Sequence, residues 1–172
     1  MIFESNQVLT KYVCDDIIEK FDEESNQSVY NIPKQDPTWE KIERILYKEL
    51  LIKINEYKTK LLENMIENDD LILLLNKTLY TRNITIQKVD IGSGIISKYN
   101  FIPNRYNVLT YIFYLNDIDN GGEIIFENQK IIPKKGKLVL FQEDIIHPYH
   151  CVLPSYESQY IITGQLCYDN II

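Results

Sequence analysis

Two histidines, three cysteines and not one alanine among 172 residues set the first limits on what this chain can be. His147 and His150 stand three positions apart near the C-terminal end, so no second imidazole is available from a distant strand. Cys14, Cys151 and Cys167 are odd in number and show no CxxC spacing, which argues against a disulfide framework and a zinc site; buried, reduced thiols are expected. Long apolar runs are absent. Stretches such as Leu71–Leu75 fall far short of the roughly 20 residues that cross a bilayer. The opening MIFESNQVLT has no basic segment leading into an apolar one, so no secretory signal is expected and a soluble, cytoplasmic protein is. Positive charge is also short, 18 Lys and Arg against 25 Asp and Glu. The net charge of −7 disfavours non-specific nucleic-acid binding, which needs a cationic face. The local cluster Lys130, Lys134, Lys135 and Lys137 reads as a solvated turn. The missing alanine, with abundant Ile, Asn, Lys and Tyr, is a composition expected of an AT-rich genome, that of a large DNA virus or an AT-rich microbe.

What is present is an ordinary globular balance, 45% apolar and 25% charged, at a length that fits one well-buried core. The first half has helical spacing. Val13, Ile17, Ile18 and Phe21 share a stripe within Lys11–Phe21, opposite Asp15, Asp16 and Glu19. The polar run from Glu23 to Gln35 reads as a loop, and Asp36-Pro37 as a helix start with a side-chain acceptor and a proline where no N–H is needed. Trp39, Ile42, Ile45, Leu46, Leu50, Ile54, Tyr57 and Leu61 then recur every three or four residues, which predicts a long helix. Asn68–Asn76 is open between a short helix and a connector. After Tyr80 the period falls to two. Strands are predicted at Ile84–Ile91, Ile95–Phe101, Asn107–Asn116, Glu123–Glu127, Lys137–Gln142, His147–Val152 and Gln159–Tyr168. Gly92-Ser93-Gly94 and Asp119-Asn120-Gly121-Gly122 supply breaks. Helices first and short strands afterwards imply an α+β domain whose strands form a sandwich or jelly-roll.

One constellation is more specific. The run Leu109-Thr110-Tyr111-Ile112-Phe113-Tyr114-Leu115-Asn116-Asp117, followed by Gly121-Gly122-Glu123 and Phe126, resembles the central motif of the prolyl 4-hydroxylase-like branch of the 2-oxoglutarate, Fe(II)-dependent oxygenases. Pro133-Lys134-Lys135-Gly136 leading into Leu138–Phe141 is similar to that family's next strand. His147 with Val152 five residues on matches its distal iron-binding histidine and the apolar residue beyond it. The resemblance implies a double-stranded β-helix (jelly-roll) core over residues 81–172, supported by a mainly helical segment over 1–80, in a single domain.

It also implies a site. Such a site holds iron with two imidazoles and a carboxylate on one face, and a late Lys or Arg neutralises the far carboxylate of 2-oxoglutarate. The resemblance, laid down by glycine spacing from Gly92, puts Lys98 and Asn100 in the places of the His and Asp, keeps His147, and puts Gln159 where the basic residue belongs. Tyr99, Arg105, Thr110 and Tyr114 are candidate pocket residues. Arg105 is open between gripping an anion and standing beside a surface turn, and the tyrosines between lining a pocket and packing the core. Asp117 and Asp119 read as turn-formers, and His150 as structural or exposed.

The expectation that follows is a catalytically degenerate oxygenase fold, a pseudoenzyme with neither Fe(II) nor 2-oxoglutarate bound, acting as a binding or scaffold protein with a protein partner. The rival expectation is a working 2-oxoglutarate-dependent dioxygenase that hydroxylates a protein side chain, with His150, Asp144 or Asp90 completing an unorthodox iron site. A third is a metal-free pocket in which Lys98 binds an anion.

Overall fold

Helices form where the sequence lays down an apolar stripe, and strands where it alternates. The computed structural model describes residues 2–25, 27–33, 36–64, 69–92, 95–97, 107–127, 129–142 and 149–168. Helix α1 (Lys11–Glu24) starts at Thr10, whose hydroxyl accepts from the Val13 amide at 3.3 Å, and it buries Cys14, Ile17 and Phe21. Helix α2 (Glu40–Glu63) buries Ile42, Leu46, Leu50, Ile54, Tyr57 and Leu61, the stripe that the spacing predicts. It does not start at Asp36-Pro37. The Asp36 carboxylate is taken up by a local turn, accepting from the Thr38 amide at 2.9 Å and the Thr38 hydroxyl at 2.6 Å, and the helix opens at Glu40. The ambiguous stretch after Asn68 is helical as α3 (Asp69–Leu75).

Two antiparallel sheets carry the rest. The larger has the order β1 (Phe3–Ser5), β8 (Leu138–Phe141), β5 (Asn107–Tyr114), β10 (Gln159–Tyr168), β3 (Leu79–Val89), β2 (Val29–Asn31). The smaller runs β4 (Ile95–Ser97), β9 (His150–Val152), β6 (Ile124–Phe126), β7 (Gln129–Ile131). This is the α+β jelly-roll arrangement that the sequence predicts. Three strands escaped the sequence reading: β1, β7, and β2, which lies inside the run expected to be a loop. Each has three residues, too few to show a period of two.

Both faces of the large sheet are covered. On the outer face Ile86, Leu109, Tyr111, Phe113, Leu138, Leu140, Ile162 and Leu166 pack with the buried stripes of α1 and α2 in one apolar core. On the inner face Ile112, Tyr114, Val139, Phe141 and Ile161 join Ile124, Phe126, Ile131 and Cys151 of the small sheet in a second core. The alternation along β5, β8 and β10 sorts neighbouring residues between the two. All three cysteines are free and buried, as expected from their spacing. Among the described residues no helix is long and apolar enough to cross a membrane.

The lysine cluster is not uniformly solvated. Lys130 pairs with Glu123 at 2.7 Å and Lys135 with Asp15, but Lys137 is only 6% exposed. The cause is alternation: Lys137 lies two residues before Val139 and continues the register opposite Tyr114, whose amide donates to the Lys137 carbonyl at 2.9 Å, while Gly136, at φ +79°, donates to the Tyr114 carbonyl at 2.8 Å as the extra residue of a bulge. Both residues thus oppose Tyr114, and Lys137 falls on the inner face with Val139 and Phe141.

Candidate functional site

Among the described residues the buried polar side chains other than Tyr, Trp and Cys are Thr85, Thr110, Lys137, Gln159, Thr163 and Gln165. Strand register puts all six on the inner face of the large sheet, since each is paired with or two residues from an inner-face residue such as Ile161, Ile112 or Val139. Burying polar groups is unfavourable unless each finds a partner. Toward β2 and the far end of β10 most do. The Thr85 hydroxyl donates to Asn31 Oδ1 at 2.9 Å, Gln87 Nε2 to Thr163 Oγ1 at 3.2 Å, and Asn83 Nδ2 to Gln165 Oε1 at 3.2 Å.

At the start of β10 the accounting does not close. The Tyr114 hydroxyl and Gln159 Oε1 are buried with no hydrogen-bond partner among the described residues. Tyr114 stands opposite Ile161, and Gln159 lies two residues before Ile161, so the two are diagonal neighbours on one face. Burial pushes the Tyr114 hydroxyl well above the ordinary phenol range, with the Cys151 thiol and the Glu4 and Glu123 carboxylates adding to it, so it stays a protonated donor.

The sequence motif explains how this corner is held. Asn116 clamps the start of β10 twice, Nδ2 donating to the Ser158 carbonyl at 2.9 Å and Oδ1 accepting from the Tyr160 amide at 2.8 Å. Gly122, at φ +74°, offers its carbonyl to Gln159 Nε2 at 2.8 Å, and a Cβ there would sit 2.8 Å from that nitrogen. Asp117 accepts from the Lys135 amide at 3.0 Å, a turn-holding role as expected. Beside the corner, Lys137 Nζ donates to Glu4 Oε2 at 2.9 Å and to the Ile132 carbonyl at 2.8 Å. Phe126, Phe141 and Tyr149 stack between the sheets with ring centroids 5.2 to 5.4 Å apart.

Of the residues singled out in the sequence, Thr110, Tyr114 and Gln159 share this inner face. Tyr111, by contrast, packs in the outer core. Lys98, Tyr99, Asn100, Arg105, Asp144 and His147 lie outside the described residues. His150 is exposed on β9, paired with Ser97 and Ile125, and Asp90 is an exposed acceptor for the Ser158 hydroxyl at 3.4 Å. Among the described residues no cluster of three or more His, Cys, Asp or Glu side chains could hold a metal. Sequence reasoning missed Lys137 and Glu4. The signal for Lys137 was the alternation Lys137, Val139, Phe141, which carries the inner face back to the lysine.

A cosubstrate carboxylate fits this corner in part: the unpartnered Tyr114 hydroxyl is a donor for it, whereas Gln159 Oε1 is an acceptor and needs its amide turned. For a metal, the His147 imidazole and the Asn100 amide oxygen are donors of suitable chemistry, and the Lys98 ammonium is not.

Residues 98–166 match the 2OG-Fe(II) oxygenase superfamily. A search of curated proteins finds no match. The viral collagen prolyl hydroxylase of Paramecium Bursaria Chlorella virus-1 is similar in structure at a TM-score of 0.72 and 14% identity, over 98% of this chain and 90% of that one. A 2OG complex of the same enzyme gives a TM-score of 0.67 at 14% identity, over 98% and 96%. A Trichoplax adhaerens prolyl hydroxylase, in complex with a hypoxia inducible factor oxygen degradation domain peptide fragment, gives 0.65 at 18% identity, over 96% and 83%. These matches overturn the expectation of no cofactor, for they point to Fe(II) and 2-oxoglutarate as the groups that go with this fold. That expectation rested on reading Lys98, Asn100 and Gln159 as replacements for the family's His, Asp and basic residue. The chain therefore resembles the 2OG-Fe(II) oxygenase superfamily in sequence over residues 98–166, and over nearly its whole length it has the fold of the prolyl hydroxylases.

Proposed function

We propose that this protein binds a polypeptide through its prolyl-hydroxylase fold and takes 2-oxoglutarate between its two sheets, with turnover that is slow or lost. The observation that carries the cosubstrate part is the inner-face corner at Tyr114 and Gln159, where buried polar atoms are left without partners and an incoming polar ligand would satisfy them. The polypeptide part is supported by the peptide bound to the Trichoplax prolyl hydroxylase. The loss of turnover is supported by the sequence resemblance, which lays Lys98 and Asn100 on the positions of a ligand His and Asp. Bound Fe(II) and 2-oxoglutarate supply the oxidising chemistry in this superfamily. The residues of this chain that would hold them are His147 and Asn100 for the metal and Tyr114 for the cosubstrate.

A second reading, an active side-chain hydroxylase, is favoured by the family match running through His147. Calorimetric titration with 2-oxoglutarate in the presence of Mn(II), beside mass-spectrometric assay of succinate with Fe(II) and ascorbate, separates the two. Binding with succinate formation below one turnover per hour supports the first reading. Sustained turnover lost in His147→Ala would establish the second, and no binding would sink both.

A further inference from the structure

We propose that Lys137 is the cation that receives the far carboxylate of 2-oxoglutarate in this protein, with Glu4 as a resident counter-ion that gives way. This rests on the cosubstrate reading above and names the residue that would make it work. Gln159 has no charge to offer a dicarboxylate, and one of its two amide N–H bonds goes to the Gly122 carbonyl. The adjoining strand offers a charge instead. The β5–β8 register sets Lys137 directly across from Tyr114 on the inner face, so an ammonium just before β8 and an unpartnered hydroxyl on β5 come from facing positions. A carboxylate has two oxygens for two such donors.

Three further observations favour Lys137 over a purely structural lysine. Its ammonium has three N–H bonds, and among the described residues its hydrogen bonds go to two acceptors, Glu4 and the Ile132 carbonyl. The pair is unevenly buried, the Lys137 side chain being 8% exposed and that of Glu4 31%, so the carboxylate can swing toward water while the ammonium stays. Gln129 Nε2 donates to Glu4 Oε1 at 2.8 Å from the outer side and gives the carboxylate a partner there. A buried ion pair is weak grounds for stability, because apolar replacements of similar volume are often as stable. The position of Lys137 directly across from the unpartnered Tyr114 hydroxyl is better explained by a ligand.

The test is calorimetric titration of the purified protein, in Mn(II) buffer, with 2-oxoglutarate and with 2-oxobutyrate, which lacks the far carboxylate. The wild type is expected to prefer 2-oxoglutarate by roughly ten-fold or more, the effect of one charged hydrogen-bonded contact. Glu4→Gln should tighten 2-oxoglutarate several-fold and leave 2-oxobutyrate unchanged. Lys137→Gln paired with Glu4→Gln should erase the preference, with the melting temperature reporting that the fold is kept. If the double variant fails to fold, the Glu4→Gln result decides alone: unchanged or weaker 2-oxoglutarate binding overturns the proposal. Preference retained in a folded double variant also overturns it. If wild type binds neither acid, the cosubstrate reading itself is what has failed.

Discussion

The large sheet is buried on both faces, and the two faces differ in kind. The outer face meets α1 and α2 through an apolar core running from Phe3 to Leu166, while the buried Thr, Gln and Lys side chains of the described residues all lie on the inner face. If burial alone were at stake, both faces would carry Leu, Ile and Phe. The inner face instead keeps Thr110, Lys137, Gln159, Thr163 and Gln165 at a desolvation cost that packing does not require. The difference separates a surface built for holding the fold from one built for holding something else.

Substitutions can break or sharpen that contrast. The largest effect is expected on the outer face, where Leu140→Ala should cost about 2–5 kcal/mol in urea denaturation, since Leu140 is fully buried among large neighbours. Its 2-oxoglutarate affinity should not change while the protein remains folded. Next comes Gly164, where a Cβ would fall 2.2 Å from the Tyr111 hydroxyl, so Gly164→Ala should lose roughly 1–3 kcal/mol through overpacking. Asn116→Ala removes two hydrogen bonds that clamp β10 and should cost about 2 kcal/mol, with 2-oxoglutarate binding weakened because Gln159 is displaced. The smallest change in stability is the sharpest test. Tyr111 and Tyr114 both bury a hydroxyl with no partner among the described residues, one on each face. Tyr→Phe at either position should leave stability equal or raise it by up to about 1 kcal/mol. Only Tyr114→Phe should also weaken 2-oxoglutarate. Equal binding losses from both would mean that the two faces are not functionally distinct.

Much of the architecture was legible where elements are long. The apolar spacing of α2 is the stripe that it buries, and β10 spans Gln159–Tyr168 as predicted from alternation. Short strands were not legible, because three residues hold no period, and β1 mattered most since it delivers Glu4. Lys137 was misread for a related reason. Lysines near a Pro and a Gly suggest a solvated turn, but Lys137 shares the alternation of Val139 and Phe141, and its pairing with Tyr114 places it inside. Gln159 was found by its place in a motif, and its hydrogen bond to Gly122 then explained why that motif carries a glycine. The cofactor expectation followed from reading Lys98, Asn100 and Gln159 together as replacements, and the family and fold matches point the other way.

The place of β10 has a consequence for how the molecule is made. It is the strand that joins β5 to β3, pairing with both along most of its length, and it is the last of the three to be synthesised. Until residues 159–168 have left the ribosome, β3 and β5 have open edges facing each other across a gap. The helices, whose contacts are local, can form long before. A nascent chain halted at Ser158 should therefore be helical and protease-sensitive through its strands, with closure of the sheet arriving as one late event.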